Sequence, residues 1–343
     1  MKATVIIGAQ YGSEGKGKIA AYLSDEFARA VRTGGPNSGH TVERNGTFYQ
    51  VRAVPSAFVN QQCRLAIGAG AIINTAVLLG ELTACGIVEG RLIVDPQAVI
   101  IDEEYQNSEL DLISSISSTG QGVGAAIAAK VLRRKVTLAR DVPELRPLLA
   151  DVAGTINSEL QQGLAVMIEG SQGFFLSLHH GYYPFVTGRE TTASSFCAEV
   201  GIGPKDVGQV IGVLRTHPIR VGGPSGPLQD EIDWQTVTAE SGYPTPLLEI
   251  TTVTKRIRRV GRFSMAEAKR SLMINSATQI ALNFVDYLDH ANFGLRSYTA
   301  LTASTKKFID ALETQTGVPV SLVGTGPRNS DMIDLRREKN LPH

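Results

Sequence analysis

The feature that most constrains the fold is a glycine-rich segment between a short apolar run and a helical pattern. Residues 4–7 suit a buried strand, and a helical pattern begins at residue 18. Between them lies Gly12-Ser13-Glu14-Gly15-Lys16-Gly17-Lys18. Such glycines let backbone N–H groups approach phosphate oxygens, and the helix N-terminus favours anions. The segment predicts a phosphate-binding loop, with a purely structural turn as the alternative. Ile19 stands where a P-loop carries its magnesium-binding Ser or Thr, which argues against an ordinary P-loop NTPase.

Short apolar runs alternate with helical patterns along the chain. The runs are residues 4–7, 164–168, 207–214, 279–284 and 318–323, and the helical patterns are residues 18–30, 142–161, 265–274 and 304–316. This alternation predicts an α/β fold with a mainly parallel central sheet and helices on both faces. Asn45-Gly46 predicts a hairpin, and hence a small antiparallel excursion. Residues 224–249 are interpreted as irregular surface, and residues 1–343 as a single domain.

Three of the apolar runs end in glycine and polar residues, at positions 8–12, 169–173 and 324–327. In an open parallel sheet, ligands bind at the carboxyl ends of the strands. The three endings are therefore expected to meet in one crevice.

Charge and cysteine content exclude some classes of protein. Lys plus Arg and Asp plus Glu each number 33, so the formal net charge is zero and sequence-independent binding of DNA or RNA is not expected. The odd, widely spaced cysteines fit free thiols in a reducing compartment. No apolar run is long enough to span a bilayer, and the N-terminus has no signal-peptide pattern. We expect no membrane partner and a cytoplasmic protein.

Several blocks, in order along the chain, resemble those of adenylosuccinate synthetases. The phosphate loop of that family reads Gln-Trp-Gly-Asp-Glu-Gly-Lys-Gly-Lys, and residues 10–18 match it except at Tyr11 and Ser13. Residues 36–41, 118–124, 169–173, 183–187 and 252–259 are similar to further blocks of the family, and Arg133 follows at the family's spacing. The compact length is closer to the archaeal members.

The resemblance implies a ligase fold and a two-step reaction. A nucleoside triphosphate would phosphorylate the purine 6-oxygen, and the amine of aspartate would then displace that phosphate. Magnesium would be the metal cofactor. The small-molecule partners would be a purine nucleoside monophosphate, a nucleoside triphosphate and L-aspartate, and the protein would be a homodimer. Phosphoryl transfer depends mainly on positioning and charge stabilisation, which glycine loops, lysines and magnesium supply.

The resemblance also assigns roles to individual residues. The catalytic residues would be Ser13, Lys16 and His40, with His40 donating a hydrogen bond to the purine 6-oxygen. The triphosphate would be bound by Gly12, Ser13, Glu14, Gly15, Lys16, Gly17, Lys18, Gly39, His40, Thr41, Arg258, Phe284, Asp286, Gly324, Thr325 and Gly326. The purine monophosphate would be bound by Ser13, Asn37, Ser118, Thr119, Arg133, Gln172, Thr187 and Arg256, with Arg133 reaching into the neighbouring subunit. Aspartate would be bound by Thr252, Val253, Thr254, Arg256 and Arg258. Magnesium would be held by Ser13 and the carbonyl of Gly39.

Ser13 is the main departure from the family. It stands where the family has the aspartate that removes the purine N1 proton and binds magnesium, and a serine hydroxyl is a poor base at neutral pH. The protein could be inactive, could use IMP with another base, or could take a different purine. The third interpretation explains the change, because a short neutral side chain leaves room at C2 for an exocyclic amine. This is the departure of the phage-type relatives that use dGMP, the aminodeoxyadenylosuccinate synthetases. A phage-encoded protein of this kind would be expected in the host cytoplasm.

Residues 283–286, which match the block that reads the base of the phosphate donor, also differ from the family. Phe284 stands where many members have a lysine, while Asp286 is kept and could accept from guanine. Because Phe284 could stack on any purine, ATP is favoured as the donor, with dATP or GTP as alternatives. Gln121, Lys255 and Ile257 also differ from the family.

Two other classes of protein stay open. A nucleotide switch would share the phosphate loop but would not consume aspartate. A catalytically inactive protein would bind purine nucleotides and release no phosphate. The basic run at residues 255–262 suits carboxylate recognition in the context of this pattern, although alone it would indicate a solvated face.

Overall fold

A mainly parallel sheet forms the centre of the computed structural model, which describes residues 2–251 and 255–342. In that part of the chain the sheet has nine strands, in the order β16-β15-β14-β10-β1-β9-β2-β5-β7, and its edge strand β16 is antiparallel to β15. The strands in chain order are β1 Ala3–Gly8, β2 Arg29–Arg32, β5 Arg64–Ile67, β7 Leu92–Val94, β9 Val166–Glu169, β10 Val207–Arg215, β14 Gln279–Asn283, β15 Val320–Gly324 and β16 Met332–Asp334. The predicted α/β fold is confirmed.

Smaller strand pairs surround this sheet. They are the hairpin of β3 His40–Arg44 and β4 Thr47–Val51, the parallel pair β6 Ile72–Ile73 and β8 Val99–Ile100, and the three-stranded sheet of β11 Ile219–Arg220, β12 Glu231–Ile232 and β13 Arg259–Gly261. The hairpin turns at Asn45 and Gly46, both with positive φ, as the sequence predicts.

Helices cover both faces of the sheet. They are α1 Lys16–Tyr22, α2 Thr75–Cys85, α3 Glu103–Asn107, α4 Leu110–Ser115, α5 Val123–Val131, α6 Val152–Gln161, α7 Ala193–Val200, α8 Trp234–Ser241, α9 Met265–Ile274 and α10 Ala303–Thr316. One apolar core lies where α1 and α2 meet the sheet, around Ile6, Ile19 and Leu78. The other lies on the opposite face, where Ile7 and Ile168 pack with α6, α7, α9 and α10. Burial on both faces explains why strands such as β1 and β10 are apolar along most of their length and do not alternate with polar residues.

Two predicted helices are wrong in extent. The helix expected over residues 18–30 ends at Tyr22, because residues 29–32 form β2 in the middle of the sheet. The helix expected over residues 142–161 begins at Val152, where the side chain of Asp151 accepts a hydrogen bond from the N–H of Gly154 at 2.8 Å. Pro143 and Pro147 hold the preceding residues in a 3-10 turn.

The region interpreted as irregular surface, residues 224–249, is more ordered than expected. It contains β12 and α8, and Trp234 is buried against Ile219 and Val260. Its apolar residues are too few for a clear periodic pattern, and β12 owes its place to pairing with β13.

Candidate active site

The loops at the carboxyl ends of the strands border one cavity of about 670 Å³. It is lined by Gly12 and Ser13 after β1, by Gln172 after β9 and by Gly326 after β15. These are the three strand endings whose convergence the sequence predicts, and that prediction is confirmed. The segments that follow β2, β10 and β14, including the first residue of β3 and the last of β11, contribute the further lining residues Asn37, Gly39, His40, Arg220, Phe284 and Asp286.

Glu14 holds the phosphate loop from within. Its side chain is fully buried and accepts hydrogen bonds from the backbone N–H of Gly12 at 2.8 Å and of Gln10 at 3.0 Å. Its other oxygen accepts from the ammonium of Lys16 at 2.7 Å. Gly8 must be glycine here, because a Cβ would lie 2.5 Å from the Glu14 carboxylate and 2.6 Å from Lys16 Nζ. The geometry makes Glu14 a support of the loop and leaves Lys16 at the cavity wall.

Lys18 ties the first strand ending to the last. Its ammonium donates to the carbonyls of Gly326 at 2.6 Å and of Asp331 at 2.7 Å. Burial lowers the pKa of Lys18 to about 8, with Asp331 and Asp286 acting in the opposite direction. Lys18 thus lines the cavity with its hydrogen bonds already directed at the neighbouring loop.

His40 and Glu169 form a buried pair at the cavity. Nδ1 of His40 is hydrogen-bonded to Oε1 of Glu169, which also accepts from the hydroxyl of Ser56 at 2.5 Å and from Arg32 at 3.4 Å. Burial and the charge of Arg32 lower the pKa of His40 to about 4. Burial alone would raise the pKa of Glu169, but His40, Arg32 and Ser56 hold it below its usual range. An ionised Glu169 therefore accepts from a neutral imidazole, whose Nε2 keeps its lone pair.

Arg215 joins three parts of the cavity wall. It is fully buried, donates to the carbonyl of Ser13 at 3.2 Å and forms an ion pair with Glu249. Its guanidinium lies 4.0 Å from the centre of the Phe284 ring. Glu249 also accepts from Arg258 at 3.2 Å, and the two arginines hold the pKa of Glu249 below its usual range although burial would raise it. One face of Phe284 is thus already occupied by a cation.

An aromatic cluster surrounds Asp286 beyond Phe284. Tyr243 contacts Tyr287 and Phe293 through edge-to-face rings, and all three line the cavity. The hydroxyl of Tyr243 donates to Oδ2 of Asp286. Burial raises the pKa of Asp286 to about 6, and the hydrogen bond from Tyr243 acts in the opposite direction.

Several cavity residues leave a buried polar atom without a partner. In the described residues these atoms include Asn37 Oδ1, His40 Nε2, Gln172 Oε1 and Arg258 Nε. Buried polar atoms are normally hydrogen-bonded. The arrangement therefore suits a polar ligand with both donors and acceptors.

Most of the residues expected in the site lie at this cavity. The cavity wall includes Gly12, Ser13, Gly15, Lys16, Gly17, Lys18, Asn37, Gly39, His40, Thr41, Ser118, Thr119, Gln172, Thr187, Arg258, Phe284, Asp286 and Gly326. Of the remaining expected residues that the structure describes, Glu14, Gly324 and Thr325 are buried behind the wall, Arg256 is half-buried beside it and Arg133 is exposed. Thr252, Val253 and Thr254 lie outside the described residues.

Sequence reasoning assigned no role in the site to four polar residues that end strands. Arg32, Glu169, Arg215 and Asn283 are the last residues of β2, β9, β10 and β14. The amide of Asn283 donates to the carbonyl of Glu14 at 2.8 Å, so it too supports the phosphate loop. A polar residue at the end of an apolar run was the available signal. Tyr243 gave no comparable signal, because it reaches Asp286 only through the fold.

Among the residues that the structure describes, no helix has the length and apolar character needed to cross a membrane. Within the same residues, no group of three or more His, Cys, Asp and Glu side chains is placed to hold a metal ion.

The sequence is similar to one family throughout most of its length. A model of the family described as adenylosuccinate synthetase matches residues 5–142 and 137–293. The adenylosuccinate synthetase of Methanocaldococcus jannaschii is 42% identical over 346 residues, with 98% of each chain covered. That of Archaeoglobus fulgidus is 41% identical over 345 residues, covering 99% of this chain and 100% of the relative.

Two solved structures share the fold. A fully ligated adenylosuccinate synthetase from Plasmodium falciparum superposes with a TM-score of 0.86 at 22% identity, covering 97% of this chain and all of that one. The succinoaminodeoxyadenylate synthetase of cyanophage S-2L, bound to dGMP and to dATP as an energy donor, superposes with a TM-score of 0.82 at 30% identity. It covers 97% of this chain and 95% of the phage chain.

Proposed function

The chain belongs to the adenylosuccinate synthetase family and is a ligase that joins aspartate to a purine nucleotide, and from that premise we propose that its purine substrate is dGMP. The product would be N6-succino-2-amino-2'-deoxyadenylate, a precursor for 2-aminoadenine DNA. The ordinary reaction with IMP is the second candidate, because the archaeal relatives at about 40% identity are named adenylosuccinate synthetase.

The position of Ser13 on the cavity wall is the observation that supports dGMP as the substrate. Its side chain is exposed on the cavity wall, and its backbone has a φ of 57°. The backbone is held on both sides, since the N–H of Gly12 donates to the Glu14 side chain, while the carbonyl of Ser13 accepts from Arg215 and that of Glu14 from Asn283. A longer side chain at position 13 would therefore have to extend into the cavity. The short neutral hydroxyl leaves that space for the exocyclic amine of dGMP.

His40 and Glu169 supply the proton chemistry in this proposal. We infer that Nε2 of His40 takes the purine N1 proton, because the negative charge left on the 6-oxygen acts with Glu169 to offset the burial and the Arg32 charge that keep the pKa of free His40 at about 4. Ser13 is too weak a base to remove that proton. The resulting imidazolium is stabilised by the buried Glu169 carboxylate and donates to the 6-oxygen as charge develops there. Lys16 neutralises charge on the transferring phosphoryl group.

The residues at the cavity fit magnesium as a cofactor. Magnesium in phosphoryl-transfer sites keeps waters and is held mainly by phosphate oxygens and one or two protein oxygens. Ser13 and Gly39 both line the cavity, and a hydroxyl and a backbone carbonyl are oxygen donors that suit a hard cation. The carbonyl of Gly39 and the hydroxyl of Ser13 would hold the ion, which would stabilise charge on the transferring phosphoryl group.

The remaining proposed roles are those that the resemblance to the family implies. Thr119, Gln172 and Thr187 line the cavity, where they would hold the monophosphate. Arg133 is exposed, which suits its proposed reach to the neighbouring subunit of a homodimer. Arg256 and Arg258, together with Thr252, Val253 and Thr254, would bind aspartate. ATP is the proposed phosphate donor.

A matrix of substrates tests the proposal. Purified protein is supplied with aspartate, magnesium and each pairing of dGMP, GMP or IMP with ATP, dATP or GTP, and phosphate release and product mass are measured together. The expected result is a succinyl adduct of dGMP, formed with ATP. A strong preference for IMP would replace the proposal by the ordinary reaction, and phosphate release without an adduct would exclude ligation.

A further inference from the structure

We infer that Tyr243 selects the base of the phosphate donor by occupying one oxygen of Asp286, so that the site takes adenine and rejects guanine. The inference rests on the proposed function, because it identifies the donor of that ligase. Asp286 lies on the cavity wall with Phe284 and Tyr287 at the end of β14, and Gly326 and Pro327 lie on the same wall next to the phosphate loop. A triphosphate seated on that loop would direct its base toward this cluster.

The hydroxyl of Tyr243 already uses part of the carboxylate. It donates to Oδ2 of Asp286, whose side chain is 4% exposed and therefore has little water to compensate a lost partner. The Tyr243 ring is fixed in turn by Tyr287, His290 and Phe293, with ring centres 5.8, 4.3 and 6.5 Å away. Moving the hydroxyl aside would disturb these packed rings.

The hydrogen-bonding edges of the two bases differ in the number of donors. Guanine presents two neighbouring donors, N1–H and the 2-amino group, which match the two oxygens of a free carboxylate. Adenine presents one exocyclic amine beside an acceptor nitrogen. The hydroxyl of Tyr243 lies against Oδ2 and uses one of its lone pairs, so a base that meets the carboxylate through two neighbouring donors would have to displace it, whereas the other oxygen is left for a single donor. That oxygen satisfies the single amine of adenine, whereas guanine would bury a second donor without a partner. Sites discriminate strongly against a ligand that leaves a buried polar group unpaired.

The test compares two tyrosine hydroxyls that each bind a buried carboxylate. Tyr243→Phe removes the hydroxyl at Asp286 and keeps the ring. Tyr182→Phe is the matched control, because the hydroxyl of Tyr182 donates to Glu267 at 2.8 Å and Tyr182 is not part of the cavity wall formed by the described residues. Binding of the β,γ-imido analogues of ATP, GTP and ITP is measured by calorimetry, with magnesium, on the wild type and both variants.

We expect the wild type to bind the ATP analogue about 10-fold or more tighter than the GTP analogue. In Tyr243→Phe the ratio should move toward GTP by about 10-fold, since a hydrogen bond to a charged group is gained. Tyr182→Phe should keep the wild-type ratio. The ITP analogue lacks the 2-amino group and should bind the wild type more tightly than the GTP analogue. This comparison tests the inference on the wild type alone, even if the Tyr243→Phe variant does not fold.

An unchanged ATP-to-GTP ratio in a folded Tyr243→Phe variant would overturn the inference, and so would wild-type protein that binds the GTP analogue more tightly than the ITP analogue. These binding measurements need neither dGMP nor turnover. Failure of the ligase assay with every nucleotide pair would therefore contradict only the proposed function. An unchanged ATP-to-GTP binding ratio in the Tyr243→Phe variant of an active ligase would contradict only the role of Tyr243.

Discussion

Replacing Glu169 by glutamine should abolish most of the ligase activity while the purine nucleotide still binds. Glu169 is fully buried and accepts from His40, from Arg32 and from both the backbone N–H and the hydroxyl of Ser56. The change removes the negative charge that stabilises the His40 imidazolium. A unit charge at about 4 Å in a medium of effective dielectric about 20 contributes about 4 kcal/mol. That energy corresponds to a fall in kcat of about 1000-fold.

Stability has to be separated from catalysis in this experiment. Breaking a buried ion pair costs about 3–5 kcal/mol of folding free energy. Glu159→Gln is the matched control, because Glu159 is buried against Arg29 at 2.8 Å, behind the sheet and away from the cavity wall. Urea denaturation and steady-state kinetics are measured on both variants. Both should lose stability, and only Glu169→Gln should lose kcat. An equal loss of kcat in the two variants would refute the assigned role of Glu169.

Three further predictions follow from the cavity. Ser13→Asp should shift the ratio of kcat/KM from dGMP toward IMP by about 10- to 200-fold, the range that pocket crowding provides; an unchanged ratio in competition assays would remove the steric argument. Asp286→Asn should raise stability at pH 8 by up to about 3 kcal/mol, because the folded-state pKa of about 6 exceeds the ordinary 3.8 and the buried carboxylate opposes folding above pH 6. That gain should vanish below the ordinary pKa, as urea denaturation across pH would show. Burial and the charge of Arg215 lower the pKa of His217 from 6.5 to about 4. The contribution of neutral His217 to the free energy of unfolding is therefore full above pH 6.5 and is lost as the pH falls toward 4. The His217→Gln variant should lose less stability between pH 7 and pH 5 than the wild type does, as urea denaturation at the two pH values would show.

The sequence predicted the parts of the fold that depend on local pattern. The apolar runs of β1, β10 and β14, the hairpin at Asn45-Gly46 and the convergence of the glycine-containing strand ends are confirmed. Strand β2 was missed because its ends are Arg29 and Arg32, charged residues that read as helix surface. Both are buried, since Arg29 meets Glu159 and Arg32 meets Glu169. Such pairings join residues far apart in the chain, and no local pattern reports them.

The candidate site shows the same division. Residues 12–18 and 36–41 could be placed from the sequence because they lie in glycine-rich motifs. Arg215 and Tyr243 could not, because each acts through a partner brought near only by the folded chain, Glu249 in one case and Asp286 in the other.

Activation of the purine 6-oxygen is the central claim, and isotope transfer measures it most directly. dGMP labelled with ¹⁸O at the 6-position is incubated with the protein, ATP, aspartate and magnesium, and the released inorganic phosphate is analysed by mass spectrometry. The account predicts one ¹⁸O atom in each phosphate released with the succinyl adduct. Phosphate that carries no label, formed in step with the adduct, would contradict it.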